Sequence, residues 1–281
     1  MATYTTRFNL TKPATTDTAD IATINGNMDT IDGAIPAVVD NLTSTSTTSA
    51  LSANQGKVLG DLVSTLSGDV ADLATTADIT YYVATTGSDT TGDGTSGLPF
   101  ATIQHAIDLL PQIINHVVTI NVASGTYAET VTISGFVGKG KLVLVGNYTT
   151  PENQLVNNFK ISSCSIFVNL QGFKLTATAV SGVDVTYCTA VYLQYLDILG
   201  STGTVAGVSF SYSKGAVFSC EISNRDEAIR LLNVSHILSQ ICSGSGNVIG
   251  LYASLGSVIA KKGGQPAGTT AELTADGGVI R

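Results

Sequence analysis

Tryptophan is absent from this chain, and histidine, cysteine and charged residues are scarce: 3 His, 4 Cys and 12% Asp, Glu, Lys and Arg among 281 residues. Each shortage narrows the chemistry. Without Trp, sugar stacking falls to the 10 Tyr and 8 Phe. His105, His116 and His236 are scattered, which excludes a His-rich metal centre and any readable Ser-His-Asp order. Cys164, Cys188, Cys220 and Cys242 lack CxxC spacing and have no nearby His, so free buried thiols made in a reducing compartment are favoured. A pairing of Cys164 with Cys188, which follow similar strands, is the lesser alternative. With 13 basic against 21 acidic residues and a net charge of −8, there is no Lys/Arg stripe to neutralise phosphates, and nucleic acid is not an expected partner. No window approaches the ~18 to 20 apolar residues of a membrane span, and polar residues rather than a basic and apolar leader follow Met1.

What remains is a chain that folds. Its hydrophobic content is 43%, and 29 Gly alongside abundant Thr and Ser point to a β-rich, turn-rich architecture. Near the amino terminus Ile21, Ile24, Met28, Ile31, Ile35, Val38 and Leu42 follow one another in an unbroken 3-4-3-4-3-4 spacing, the a/d seam of a heptad repeat. Ile at both layers favours three strands or more, so a parallel homotrimer is expected, although Gly26, Gly33 and Pro36 weaken the helix in isolation. After a Ser/Thr tract, Leu59, Leu62, Leu66, Val70 and Leu73 share the face of a second, short helix.

The opening "FNLTKP…NGNMDTIDGAI" and the segment "TSTTSALSANQGKVL" resemble bacteriophage tail-fibre and appendage proteins, in which such stretches join an attachment region to a distal domain. The resemblance covers roughly the first 75 residues. It implies a virion component, made in the host cytoplasm, that meets other virion proteins through this segment. From Tyr81 to Pro111 the run "YYVATTGSDTTGDGTSGLPFATIQHAIDLLP" resembles the start of pectate-lyase-like right-handed β-helices, where a strand, a turn-rich loop and a short helix cap the solenoid. Ile103, Ala106, Ile107 and Leu110 would form the buried side of that helix, with His105 on it and His116 at its end.

An internal repeat supports the solenoid. "GVDVTYCTAVYL", "GVSFSYSKGAVF", "AIRLLNVSHILS" and "VIGLYASLGSVI" align Val183, Val208, Ile229 and Ile249 at steps of 25, 21 and 20 residues. Two positions on stand Val185, Phe210, Leu231 and Leu251, the period-two alternation of a strand. A second apolar position follows at Val191, Val217, Ile237 and Val258. The expected fold is therefore mainly β: a right-handed parallel β-helix over residues 79–281, preceded by a helical, trimeric coiled-coil attachment segment at 1–42 and a linker with a short helix at 43–78. The Gly-rich ending is expected to flank the last coil of a complete chain.

Few residues carry chemistry. Asp89, Thr91, Asp93 and Gly94 begin an EF-hand-like run, but Phe100 stands where the bidentate Glu belongs, so a turn is preferred to a calcium site and no metal or cofactor is expected. Asp197 and Glu221 align one coil apart, about 5 Å on a solenoid surface, a separation suited to a retaining glycosidase. Their alternative is two outward polar positions, which is preferred. Arg225, Asp226, Glu227 and Arg230 read as a solvated ion-pair turn, and His236 as a turn residue. Tyr187 and Tyr212 share a repeat slot and are expected to stack. The expected function is a structural virion fibre that attaches to the host surface, with a cell-surface glycan as a possible partner. The alternatives are a polysaccharide depolymerase of the β-helix class and a head or collar decoration fibre.

Overall fold

The computed structural model describes residues 3–4, 10–12, 20–43, 45–47, 49–201 and 205–281. They divide into two compact units, Met1–Asp69 and Val70–Arg281.

In the first unit, Ile21–Ala34 forms helix α1. The Asp20 carboxylate starts it by accepting from the N–H groups of Ala22 (3.0 Å) and Thr23 (3.3 Å) and from the Thr23 hydroxyl (2.6 Å). Two otherwise orphaned donors are satisfied, and the Thr23 hydroxyl, followed by the N–H bonds, holds the carboxyl below its usual pKa. The helix stops at Ile35, which is extended (φ −80, ψ 113), because a residue before proline is driven out of the α region. The heptad expectation is corrected accordingly. Ile21, Ile24, Met28 and Ile31 lie on one helix, whereas Ile35, Val38 and Leu42 lie beyond it, Val38 in a short strand that pairs in parallel with Ala50–Leu51. Helix α2, Ala53–Leu73, is 21 residues long rather than short. Ser52 opens it, accepting from the Gln55 N–H (3.1 Å) and donating to Asp40 (2.6 Å).

The second unit is a parallel β-solenoid of about seven turns. One sheet has nine strands, from Ile79–Val83 at one edge to Val279–Ile280 at the other; a second has ten. The second sheet has two arms joined by the long strand Gln154–Ser162, in which Leu155 and Val156 pair with Lys174 and Leu175 while Phe159 to Ser162 pair with Val183 to Thr186. Each turn thus offers three strand positions. Inward residues stack in register, giving fully buried columns such as Val118–Leu142–Val168–Val191 and Ile120–Leu144–Leu170–Leu193. Each such side chain contributes roughly 1.5–3 kcal/mol by burial, and only neighbouring coils share it.

Strands turn into one another at residues in the left-handed region: Tyr187 (φ 55), Tyr195 (φ 53), Tyr212 (φ 50), Ser219 (φ 49), Asn224 (φ 56) and Ile241 (φ 52) among them. Behind one corner stands a polar ladder that the repeat alignment does not single out. The N–H of Cys188 donates to the Ser213 hydroxyl (3.0 Å), that of Ser213 to Ser235 (3.1 Å) and that of Ser235 to Ser257 (3.1 Å). The four cysteines are free and buried, and burial pushes the Cys220 and Cys242 thiols up.

The repeat alignment holds for Val183, Val208 and Ile229 and for Val185, Phe210 and Leu231. It fails in the last repeat, where Ile229 pairs with Leu251 and Leu231 with Ala253, leaving Ile249 beside Glu227. In the nine-stranded sheet Val191 stacks on Gly215 and Ile237, Val217 on Leu193, and Ile259 rather than Val258 continues the buried column. At the corner between these sheets both Asn233 and Val234 are left-handed (φ 54 and 53), where Tyr212 stands alone one coil earlier. A period-two pattern tolerates a slip such as that of Ile249, two residues from Leu251, because a shift of two leaves the same faces apolar; Val258 is one residue off the buried column and lies on the opposite face of its strand. His236 begins the strand His236–Gln240 rather than lying on a turn.

Helix α3, Ile103–Asp108, packs on the first coil as expected, with Ile103, Ala106 and Ile107 buried and Leu110 just beyond it. Glu129 holds its start, accepting from the N–H groups of Ile103 (3.0 Å) and Gln104 (2.9 Å).

Arg225 overturns the solvated-turn expectation. It is fully buried and has no carboxylate partner among the described residues; its guanidinium donates to the carbonyls of Val180 (3.0 Å), Ala177 (2.7 Å) and Leu199 (3.2 Å). Those carbonyls belong to segments leaving the strands that end at Leu175 and Leu199, so they lack the ladder partners of regular coils. Gly200 makes room, since a Cβ there would lie 2.4 Å from Arg225 Nε. Desolvation pushes the guanidinium pKa down. Arg225→Met keeps most of the volume but takes the donor from three partly buried carbonyls, each lost bond worth about 1 kcal/mol. A loss of roughly 3 kcal/mol or more is expected in urea unfolding of the full chain; an unchanged midpoint would refute the clamp.

Candidate functional site

The strand Lys141–Val145 leaves its sheet through Gly146, Asn147 and Tyr148. Asn147 Oδ1 folds the exit by accepting from the N–H groups of Thr149 (2.9 Å) and Thr150 (3.0 Å). Two backbones then pass very closely: a Cβ on Gly146 would stand 2.1 Å from the Gly172 carbonyl oxygen. Tyr148 is carried over Gly172 to Tyr195, the corner residue one coil further on. Their ring centroids lie 5.9 Å apart at 49°, and the side chains are 62% and 40% exposed. With Glu152, Asp197, Ser219 and Glu221 they line a cleft of about 320 Å³.

Asp197 and Glu221 are indeed register partners on adjacent coils. Lys174, on the coil before, is the other partner of Asp197, and its Nζ lies 2.9 Å from Asp197 Oδ2. One oxygen of the expected acid pair is thus engaged by an ammonium group. Glu221 makes no ion pair among the described residues.

The other candidates are separate. Asp89 Oδ1 accepts from the N–H groups of Ala101 (2.7 Å) and Thr102 (3.0 Å), and Oδ2 from the Thr102 hydroxyl (2.7 Å). Burial works to raise its pKa, but these bonds outweigh it and hold the carboxyl below the usual value. Asp93 is turned inward on its own loop, bonded to the hydroxyl (2.7 Å) and N–H (2.9 Å) of Thr95. Both carboxylates brace turns. Among the described residues no group of three or more His, Cys, Asp and Glu is placed to hold a metal ion. Tyr187 and Tyr212 stack as expected, 5.0 Å apart and 8° from parallel. On the helices the apolar seams face outward: Ile21, Ile24 and Met28 are 72%, 45% and 62% exposed, and Leu59, Leu62, Leu66, Val70 and Leu73 lie between 47% and 62%.

Tyr148, Glu152, Lys174 and Tyr195 escaped the sequence reading. Tyr195 shares its column with Gly172, Ser219, Ile241 and Gly263, which have no side chain in common, only a positive φ of 77, 53, 49, 52 and 71 along the column from Gly172. A repeated backbone conformation leaves little mark when neighbouring coils rather than residue type sustain it.

A family model described as phage tail fiber repeats matches residues 38–68. The chain matches no curated protein and no solved structure. The repeat match and the solenoid together fit a bacteriophage tail-fibre protein with a β-helix domain, and they support a structural role in a phage fibre as a component of the virion.

Beside Arg225, Glu227 and Arg230 form a loose pair at 3.6 Å, with side chains 13% and 27% exposed. Glu227 Oε2 and Arg230 Nε are buried without hydrogen-bond partners. Burial raises the Glu227 pKa, Arg230 opposes the rise and Asp226 adds to it. A carboxyl with a raised folded-state pKa costs stability once ionised, so the penalty is absent below the ordinary value of 4.5 and complete above the raised one. Glu227→Gln is therefore expected to stabilise the protein near neutral pH, with the advantage shrinking as pH falls towards 4.5. Thermal melts at both ends of that range check the sign; a gap that widens on acidification would contradict it.

Proposed function

We propose that this chain is a trimeric virion fibre that attaches the particle to the host surface through its β-helix, without cleaving what it binds. The observation that carries the reading is the tail-fiber-repeat match at residues 38–68, which runs into a long helix whose apolar side chains are exposed in the single chain. Exposed, regularly spaced Ile, Leu and Val side chains on α1 and α2 suit association with further copies, and the amino-terminal segment is the part that would meet other virion proteins. Three strand positions per turn, left-handed corners and the packed α3 support grouping the solenoid with right-handed pectate-lyase-like β-helices. The depolymerase alternative draws on the Asp197–Glu221 adjacency; the Lys174 contact counts against it.

Ile24→Asp combined with Ile31→Asp and Leu66→Asp places carboxylates in the proposed apolar layers, where an unpaired buried charge costs several kcal/mol or more. Sedimentation should show trimers for the parent protein and monomers for the variant. A variant that stays trimeric would assign assembly to the solenoid. Incubated with capsule or cell-wall polymers of the host, the trimer is expected to release no reducing ends or unsaturated products. Release abolished by Asp197→Asn or Glu221→Gln would establish the depolymerase instead.

A further inference from the structure

We propose that the Tyr148–Tyr195 cleft is a glycan subsite selective for neutral or amino sugars over polyanionic ones. The proposal rests on the host-attachment reading and names its ligand class and contact residues.

The aromatic pair carries it. Tyr195 occupies a left-handed corner (φ 53) in a column that holds glycine at Gly172 and Gly263. A bulky residue in that conformation costs roughly 1–2 kcal/mol, yet Tyr195 is not part of the buried core and stays 40% exposed. Tyr148, whose ring is 62% exposed, arrives from another loop to stand 5.9 Å away. Two rings, tilted to each other and open to solvent, present the apolar faces on which the C–H side of a pyranose rests. The volume of about 320 Å³ falls at the lower end of the roughly 300–1,000 Å³ usual for ligand pockets and suits one or two sugar rings. Because Tyr195 is held by its bond to the next coil (N–H to the Phe218 carbonyl, 3.1 Å), little ordering of that ring is left for binding to impose.

Charge sets the selectivity. Glu152, Asp197 and Glu221 line the cleft, and Lys174 is the one cation bound to them among the described residues, so three carboxylates less one ammonium leave a formal −2. Glu221 carries free acceptor oxygens, and Ser219 and Ser243 add hydroxyls. Such walls accept hydrogen bonds from sugar hydroxyls and attract sugar ammonium groups, but repel carboxylated or phosphorylated chains.

The test uses the full-length protein with four probes in calorimetric titration: N-acetylglucosamine tetramer, glucosamine tetramer, maltoheptaose and oligogalacturonate as the polyanion. At least one of the first three should bind about tenfold or more tightly than oligogalacturonate. Tyr195→Gly is the decisive variant, because glycine relieves the strained corner while removing the ring. Its melting temperature should be equal or higher, and its affinity lower by about tenfold. Glu152→Gln with Glu221→Gln should narrow the discrimination against oligogalacturonate. Absence of binding to all four probes, preference for the polyanion, or affinity unchanged in Tyr195→Gly would each overturn the subsite. Adsorption to intact host cells, measured in parallel, separates the two readings. Cells that bind parent and Tyr195→Gly equally, with sugar affinity also unchanged, retain attachment and refute the subsite, whereas sugar binding lost in Tyr195→Gly without any cell adsorption refutes attachment and leaves the subsite standing.

Discussion

The solenoid depends on the left-handed corner. A strand of four or five residues has to turn sharply to stay in its own coil, and here single non-glycine residues make the turn at φ near +50. That conformation is unfavourable for an L-residue and persists because the coil beyond holds it: the N–H groups of Tyr187, Tyr195, Tyr212, Ser219 and Ile241 donate to Ser211, Phe218, Asn233, Gln240 and Lys262 at 2.9–3.2 Å. Corner and stacking are mutually dependent. No coil is stable alone, and the cost of each bend is met by pairing that exists only between coils.

The same corners decide what the surface displays. A side chain at a left-handed corner cannot join the inward columns, so it projects at the boundary between faces. Tyr187 and Tyr212 stack on each other at one boundary and Tyr195 meets Tyr148 at another. In a chain without tryptophan these rings are the most prominent aromatic surface among the described residues. The interior is finished by less regular means, a ladder of serine hydroxyls and a guanidinium buried among carbonyls, wherever side chains or segments depart from simple apolar stacking.

The two units bury their apolar residues differently. In the solenoid the alternating Val, Ile and Leu of each strand find partners within the chain. On α1 and α2 comparable side chains remain in solvent, and their regular spacing is what association between copies requires. The family match at residues 38–68 includes much of α2, and no solved structure matches the chain.

By itself the sequence determined the β-helix, the packed side of α3, the register of Asp197 with Glu221 and the Tyr187–Tyr212 stack, because each is set by period-two alternation, by the i, i+3, i+4 spacing of a helix face or by a repeat step of 24 or 25 residues. It misplaced Ile249, since alternation survives a slip of two, set Val258 one residue off the buried column, and carried the heptad through Ile35 to Leu42 although Pro36 ends the helix. Only the tertiary structure decided that Arg225 is buried, that Lys174 engages Asp197, and that Tyr148 and Tyr195 share a cleft. Those outcomes depend on which backbones pass close to one another, at Gly146 over Gly172 and at Gly200 beside Arg225, and such proximity is settled by the stacking of whole coils, which no local pattern records.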